Sequence, residues 1–306
     1  MKIDLGVNLG FATNKYFEPE TWTRVVSEEI GLSKVQFVAD ILNPSLPEEY
    51  IDSQVKRIVG SCERYGVTIE SMFTSTFTRV NHFFHPDREA REYWFEWFVK
   101  FAAIGQRFGA KSIGSHFGIY SFDAYEKRRE ELLEGAVKIW QRFSRRASDL
   151  GYEYLIFEPM SIPRELANTV AETKKLMDMV NADSAIPMKV CLDVGHAPDP
   201  SERDPYPWIE SLGADSPIIH LQQTVLNKSN HWPFIKEYND QGIIEPKKVL
   251  ESLRKSGAEG SLLLFEISHR EHSDTDGRIL RDLRESADYW KEAIRGEHES
   301  CRSSRD

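Results

Sequence analysis

Cysteine is scarce: Cys62, Cys191 and Cys301 are the only three in 306 residues. An odd, widely spaced set excludes a disulfide framework and a paired-thiolate zinc knuckle. No run approaches the roughly 20 apolar residues needed to cross a bilayer. The first residues, MKIDLGVNLG, lack the basic-then-apolar pattern of a secretory leader, so a cytoplasmic protein with reduced thiols is expected. Positive charge is in deficit: 39 Lys+Arg against 49 Asp+Glu leaves −10. That balance argues against broad neutralisation of nucleic-acid phosphates, but not against a small anionic substrate met by a few local cations. A dinucleotide fingerprint is missing too. Gly6 and Gly10 stand outside any G-x-G-x-x-G pattern, so no NAD is expected.

What is present is enough apolar residue, 40%, to build a sizeable core. Short β-rich runs recur at Ile3–Asn8, Lys34–Asp40, Val67–Thr74, Ser112–His116, Tyr154–Pro159, Met188–Asp193, Ile218–Gln222 and Ser261–Glu266. Amphipathic segments separate many of them: Glu48–Tyr65, Asp87–Phe108, Ala124–Leu150, Thr169–Asn181, Pro246–Ser256 and Arg278–Arg295. Gly66, Gly109 and Gly151 follow three of these as helix stops. Strands that are continuously apolar imply a parallel sheet covered on its outside. Eight is the number that closes a (β/α)8 barrel; the rival is an open, doubly wound sheet. The expected organisation is one catalytic barrel over residues 1–295 and a polar, flexible tail over residues 296–306.

In such a barrel chemistry sits where the strands end. The fourth run ends in His116, the fifth carries Glu158, the sixth ends in Asp193 with His196 just beyond, the seventh carries His220, and the eighth ends in Glu266. A charge closing YLIFE, VCLD or LLLFE is costly to bury alone. Glu158, Asp193, His220 and Glu266 can share one divalent cation. Three carboxylates and an imidazole suit Mn²⁺ first, with Mg²⁺, Co²⁺ or Zn²⁺ as alternatives. Such an ion stabilises the enediolate formed when a ketose loses its α-proton. Glu158 and Glu266, three strands apart around the ring, are the expected acid and base on opposite faces. That arrangement favours epimerisation, with aldose–ketose isomerisation as its close relative.

The motifs LIFEP, CLDVGH, IIHLQQ and LLLFEISH, in that order, resemble the xylose-isomerase-like TIM barrel superfamily of sugar isomerases and epimerases over about residues 1–295. The resemblance implies that Glu158 and Glu266 are both ligands and acid/base groups, that Asp193 and His220 complete the metal set, and that His196 contacts substrate. The longer segments TSTFTRVNHFFHP, SERDPYPW and HLQQTVLNKSNHWPF are similar to the tetrulose-phosphate racemases of bacterial erythritol catabolism, which invert the carbon beside the ketone. Where free-sugar 3-epimerases carry an acidic residue and an Arg, this chain has Arg164 and Glu165, then Lys228, Ser229, Asn230 and His231. Extra cations there suit a phosphate, with Arg164 and Lys228 the preferred pair and Arg79 and Arg270 further candidates. His116 is a candidate substrate contact, and Phe11, Phe37, Phe77, Phe117 and Trp232 are expected to wall the pocket. The resemblance also implies a homodimer or homotetramer. Rival readings are an inosose-dehydratase-like lyase, a metal-dependent nuclease, disfavoured by the acidic charge, and a non-catalytic barrel.

Overall fold

A computed structural model describes residues 1–74, 79–196, 202–268 and 275–303. Its strands are β1 (Lys2–Asn8), β2 (Lys34–Val38), β3 (Thr68–Phe73), β4 (Ser112–His116), β5 (Tyr154–Glu158), β6 (Met188–Asp193), β7 (Ile218–Leu221) and β8 (Gly260–Phe265). Each pairs in parallel with the next, and β8 closes on β1 from Lys2↔Gly260 to Val7↔Phe265. The sheet is therefore a closed barrel, which removes the open-sheet alternative.

The helices are α1 (Pro19–Arg24), α2 (Glu48–Tyr65), α3 (Arg88–Phe108), α4 (Phe122–Lys127), α5 (Arg129–Asp149), α6 (Val170–Asn181), α7 (Pro205–Leu212), α8 (Lys236–Asn239), α9 (Pro246–Lys255) and α10 (Thr275–Ser303). Helices α2 and α3 stop at Gly66 and Gly109, whose φ values of 64° and 75° are left-handed. Glycine adopts that conformation without a Cβ clash. Among the described residues, no helix is long and apolar enough to cross a membrane.

The structure departs from the sequence reading at several places, the four-residue helix α8 among them. Helix α1, prolonged by a π-helical turn over Val25–Ile30, and helix α7 lie outside the expected set. The first is rich in β-branched residues and the second carries two prolines, so local propensity hides both. Pro19 and Pro205 sit in the first turn, where the missing N–H costs nothing. The single helix expected over 124–150 is two, broken at Arg128, whose guanidinium reaches Glu131 and the Pro86 carbonyl. The polar segment from Gly296 continues α10 to Ser303.

Alternate strand residues point into the barrel. Phe73, Ile156, Cys191, Ile218 and Leu264 form a separate apolar cluster there. Two residues further along four of those strands, on the same face, stand Glu158, Asp193, His220 and Glu266. The candidate ligands are thus the layer directly above an apolar plug. Outside, Trp22, Trp140 and Trp290 are fully buried in the main core cluster. Phe37 packs against Trp22 and Phe108, and Phe117 against Trp140 and Phe157. Both lie in the layer between strands and helices rather than at the mouth.

Gly114 of β4 backs onto β5 so closely that a Cβ would lie 1.7 Å from the Ile156 carbonyl oxygen. Gly114→Ala is expected to destabilise the protein by at least about 3 kcal/mol, the upper end of ordinary overpacking, because backbone rather than a side chain must move. Gly60, exposed inside α2 with nothing near its Cβ position, is the opposite case. Gly60→Ala is expected to stabilise by roughly 0.5–1 kcal/mol. Urea unfolding of both variants checks the pair; similar midpoints would contradict the packing argument.

Candidate active site

The strand register assembles the site. His116 pairs with Glu158 across β4 and β5, and Asp193 with His220 across β6 and β7. Glu266, one residue past β8, continues the ladder by donating its N–H to the Leu221 carbonyl at 3.0 Å. Donor atoms of Glu158, Asp193, His220 and Glu266 all fall within 4.8 Å of one another. His220 Nδ1 is 2.9 Å from Glu158 Oε1 and 3.2 Å from Glu266 Oε2. Asp193 is oriented by the Gln222 amide, 2.9 and 3.0 Å from its two oxygens, and by the Gly195 N–H at 2.6 Å.

Burial and proximity set the charges. Burial raises the Glu158 carboxyl above its ordinary range and the neighbouring Glu266 carboxylate adds to this, against partial relief from His220. Burial pushes Glu266 upward as well, but His220, His231 and His196 outweigh it and hold Glu266 well below the carboxylate range. Burial alone would depress His220; the Cys191 sulfur and the two glutamates together hold it well above the histidine range. Two glutamates on one imidazole nitrogen, with Asp193 within 4.8 Å, form a donor set that fits a hard divalent cation. Such an ion would neutralise a repulsion that protonation otherwise relieves.

A second group overlaps the first: Asp193, His196 and His231 also present donor atoms within 4.8 Å. His196 Nδ1 lies 3.3 Å from the Pro159 carbonyl and Nε2 3.9 Å from Asp193 Oδ2. Burial would lower the His196 imidazole, but Asp193, Glu158 and Glu266 raise it. His231 adopts a left-handed φ of 49°. Its N–H donates to Gln222 Oε1 at 2.6 Å and its Nδ1 faces the Glu266 carbonyl at 3.0 Å. Its Nε2 is thereby left to accept from Ser229 Oγ at 3.1 Å.

The remaining expected residues divide. His116 is buried with Nε2 unpartnered, against the equally buried ring of His82 at 4.7 Å between centroids. Burial, reinforced by Arg79, pushes His116 down to about 4, so it is a neutral imidazole at physiological pH. Arg164 donates to the Tyr120 carbonyl and stacks over the Phe122 ring at 4.2 Å. It is therefore engaged by α4 and its approach. Arg79 pairs with buried Glu165. Lys228 is exposed on the loop after β7. Phe11 sits against Tyr16, and Trp232 stacks on Tyr238 at 4.7 Å. Arg270 and Phe77 lie outside the described residues.

Sequence reasoning passed over Gln222, which braces Asp193, and Gln36 and Asn8, buried in the barrel interior. Gln36 and Asn8 lie among apolar neighbours in β2 and β1, and an amide there carries no charge to draw attention. The period-2 alternation of VQF and GVN is the signal that marks them as inward-facing.

A family profile described as Xylose isomerase-like TIM barrel matches residues 26–295. D-erythrulose 1-phosphate 3-epimerase of Brucella abortus (strain 2308) is 33% identical over 297 residues, covering 95% of this chain and 96% of that protein. The crystal structure of a candidate xylose isomerase from Rhodospirillum rubrum ATCC 11170 superimposes with a TM-score of 0.86 at 25% identity, covering 94% of this chain and 98% of that one. D-psicose 3-epimerase from Clostridium cellulolyticum H10 shares the fold at a TM-score of 0.73 and 16% identity, covering 95% and 99%.

Two expectations follow from the geometry. Mn²⁺ added to chelator-treated protein at about 100 times its Kd stabilises the fold by about 2.7 kcal/mol, read as a melting-temperature rise of several degrees. His220→Ala abolishes that rise. An unchanged rise in the variant would remove His220 from the donor set. Separately, a histidine held near 4 when folded but near 6.5 when unfolded binds more protons in the unfolded state between those values. Stability is therefore complete above about pH 6.5 and is lost as pH falls toward 4, by roughly 2 kcal/mol at pH 5. His116→Gln should lose less stability than the wild type between pH 7 and pH 5 in urea titrations; equal losses would refute the assignment.

Proposed function

The chain belongs to the xylose isomerase-like TIM barrel family, and on that premise, together with its sugar-epimerase relatives, we propose that it is a divalent-metal-dependent 3-epimerase of a tetrulose phosphate. At the coarser level it is an enzyme of the sugar isomerase and epimerase class. One observation carries the reading. Glutamates from β5 and β8, three steps apart around the ring, converge on one nitrogen of His220.

Glu158, Asp193, His220 and Glu266 would hold the ion, Mn²⁺ being the first choice for a set of oxygens with one nitrogen. When bound, it supplies positive charge beside the ketose oxygens, where negative charge develops as the α-proton leaves. The protein's own groups move the proton. The carboxylate of one glutamate takes the proton from C3, the C–H electron pair becomes the C2–C3 double bond of an enediolate, and the C2=O π pair moves onto the ketone oxygen. The carboxylic acid of the other returns a proton to the opposite face, inverting C3 with no net change in atoms or electrons. The contrast between Glu158, pushed up, and Glu266, pushed down, supports one acid and one base in the resting pair. His196, beside both Glu158 and Asp193, suits a hydroxyl of the substrate. For the phosphate, Lys228, exposed on the loop after β7, is better supported than Arg164, whose guanidinium is engaged.

Proton NMR in D₂O with erythrulose phosphate and added Mn²⁺ tests this directly. Deuterium entering at C3 with loss of optical purity is the expected outcome. Exchange at C1 with aldose formation would mean isomerisation, and loss of water would mean a lyase. Glu158→Gln and Glu266→Gln should each lower turnover by at least about 10²-fold, the scale of a lost general acid or base. Near-wild-type rates in either would end the two-glutamate scheme.

A further inference from the structure

The interior of the barrel holds a chain of amides and hydroxyls whose donor order is fixed from one end. The Gly10 N–H, which can only donate, bonds Asn8 Oδ1 at 2.7 Å. Asn8 is thereby oriented, and it is Nδ2 that reaches across to β2, 2.7 Å from Gln36 Oε1. A donor there obliges Gln36 to present its oxygen. The same oxygen lies 2.7 Å from His220 Nε2. An acceptor facing Nε2 obliges the imidazole to carry its proton on that nitrogen. Nδ1 is left as the nitrogen that faces the oxygens of Glu158 and Glu266, and so the one that gives up its proton when a cation takes its place between them.

The far side of Gln36 is braced as well. Its Nε2 reaches Ser71 Oγ at 3.4 Å, and Ser112 Oγ stands 2.9 Å behind. The pairing of β2 with β3 slips between Val35 and Gln36, so that Gln36 lies opposite Ser71 instead of Glu70. Without that irregularity a carboxylate would face the amide. All of these polar side chains are buried. Cys191 Sγ, 3.3 Å from His220 Nε2, is the weaker partner, since the Gln36 oxygen is nearer at 2.7 Å and sulfur is a weak acceptor.

We propose that Gln36, oriented by Asn8, is a positioning residue that locks His220 in its Nε2–H tautomer and so makes Nδ1 the electron-pair donor of the metal site. The proposal rests on the metal reading above. The partner of the non-ligating ring nitrogen is what fixes a ligand histidine's tautomer and angle, and losing it costs 10–100-fold in metal affinity.

The test uses the full chain, ¹⁵N-labelled at histidine, in two forms: loaded with diamagnetic Mg²⁺, where the tautomer is read, and metal-free, where the hydrogen-bonded Nε2–H is read. Mn²⁺ affinity is measured by the EPR signal of the free ion. Gln36→Met keeps side-chain volume and removes the acceptor; Gln36→Glu keeps an acceptor oxygen at the same reach. Gln36→Met should weaken Mn²⁺ binding 10–100-fold and turn the His220 resonances into those of mixed tautomers, while Gln36→Glu should retain the Nε2–H signature. Wild-type affinity and an unchanged tautomer in Gln36→Met would overturn the proposal. If Gln36→Met does not fold, Asn8→Leu removes the donor that orients Gln36, and the same two readouts should move in the same direction; no movement overturns it equally. If the wild type binds no Mn²⁺ yet shows a hydrogen-bonded His220 Nε2–H resonance that Gln36→Met loses, the metal reading fails while the positioning role stands.

Discussion

Everything at the barrel mouth follows from electrostatic crowding. Glu158, Asp193 and Glu266 come from three strands and meet around one imidazole with donor atoms no more than 4.8 Å apart. Three like charges at that spacing in a buried setting are far from a restful arrangement. The site relieves the strain by raising Glu158, holding a proton on His220, or accepting a cation. The first two are incomplete, since each leaves further carboxylate oxygens facing one another. That residual repulsion is what suits the site to a divalent ion, and the same crowding raises Glu158 while the neighbouring histidines hold Glu266 down.

The barrel makes the crowding possible by being rigid below it. The apolar plug of Phe73, Ile156, Cys191, Ile218 and Leu264 fills the interior one layer down. Residues two positions further along four of those strands have no direction to point but inward and upward. Close backbone contacts, as where Gly114 backs onto Ile156, keep neighbouring strands at one spacing. The amide relay through Asn8 and Gln36 gives the imidazole a fixed orientation. The loop after β7 completes the rim by turning His231 back over Glu266.

Much of this was legible from residue order. The strand runs matched the observed strands to within two residues, because both faces of a parallel barrel strand are largely buried and the runs are mostly apolar. The four candidate ligands could be named because ionisable residues closing such runs are conspicuous. The long-range partners could not be read. Arg164 looked like a phosphate ligand until its guanidinium was found on the Tyr120 carbonyl and the Phe122 ring, both about 40 residues away in sequence. Phe37 and Phe117 looked like pocket walls, but strand parity turns them outward toward the helices. Helices α1 and α7 escaped because β-branched residues and prolines dominate them, and only packing against the barrel makes them helical.

The sequence by itself determined the alternation of strand and helix, the closure at eight, and which strand ends carry charge, because periodicity and apolar run length are local properties. Tertiary structure alone decided which nitrogen of His220 faces the acids, which glutamate is pushed up and which down, and that two neutral amides buried under the site govern the imidazole. Those outcomes depend on donor and acceptor order, on burial and on distances between residues as far apart as 36 and 220, and no one-dimensional pattern encodes them.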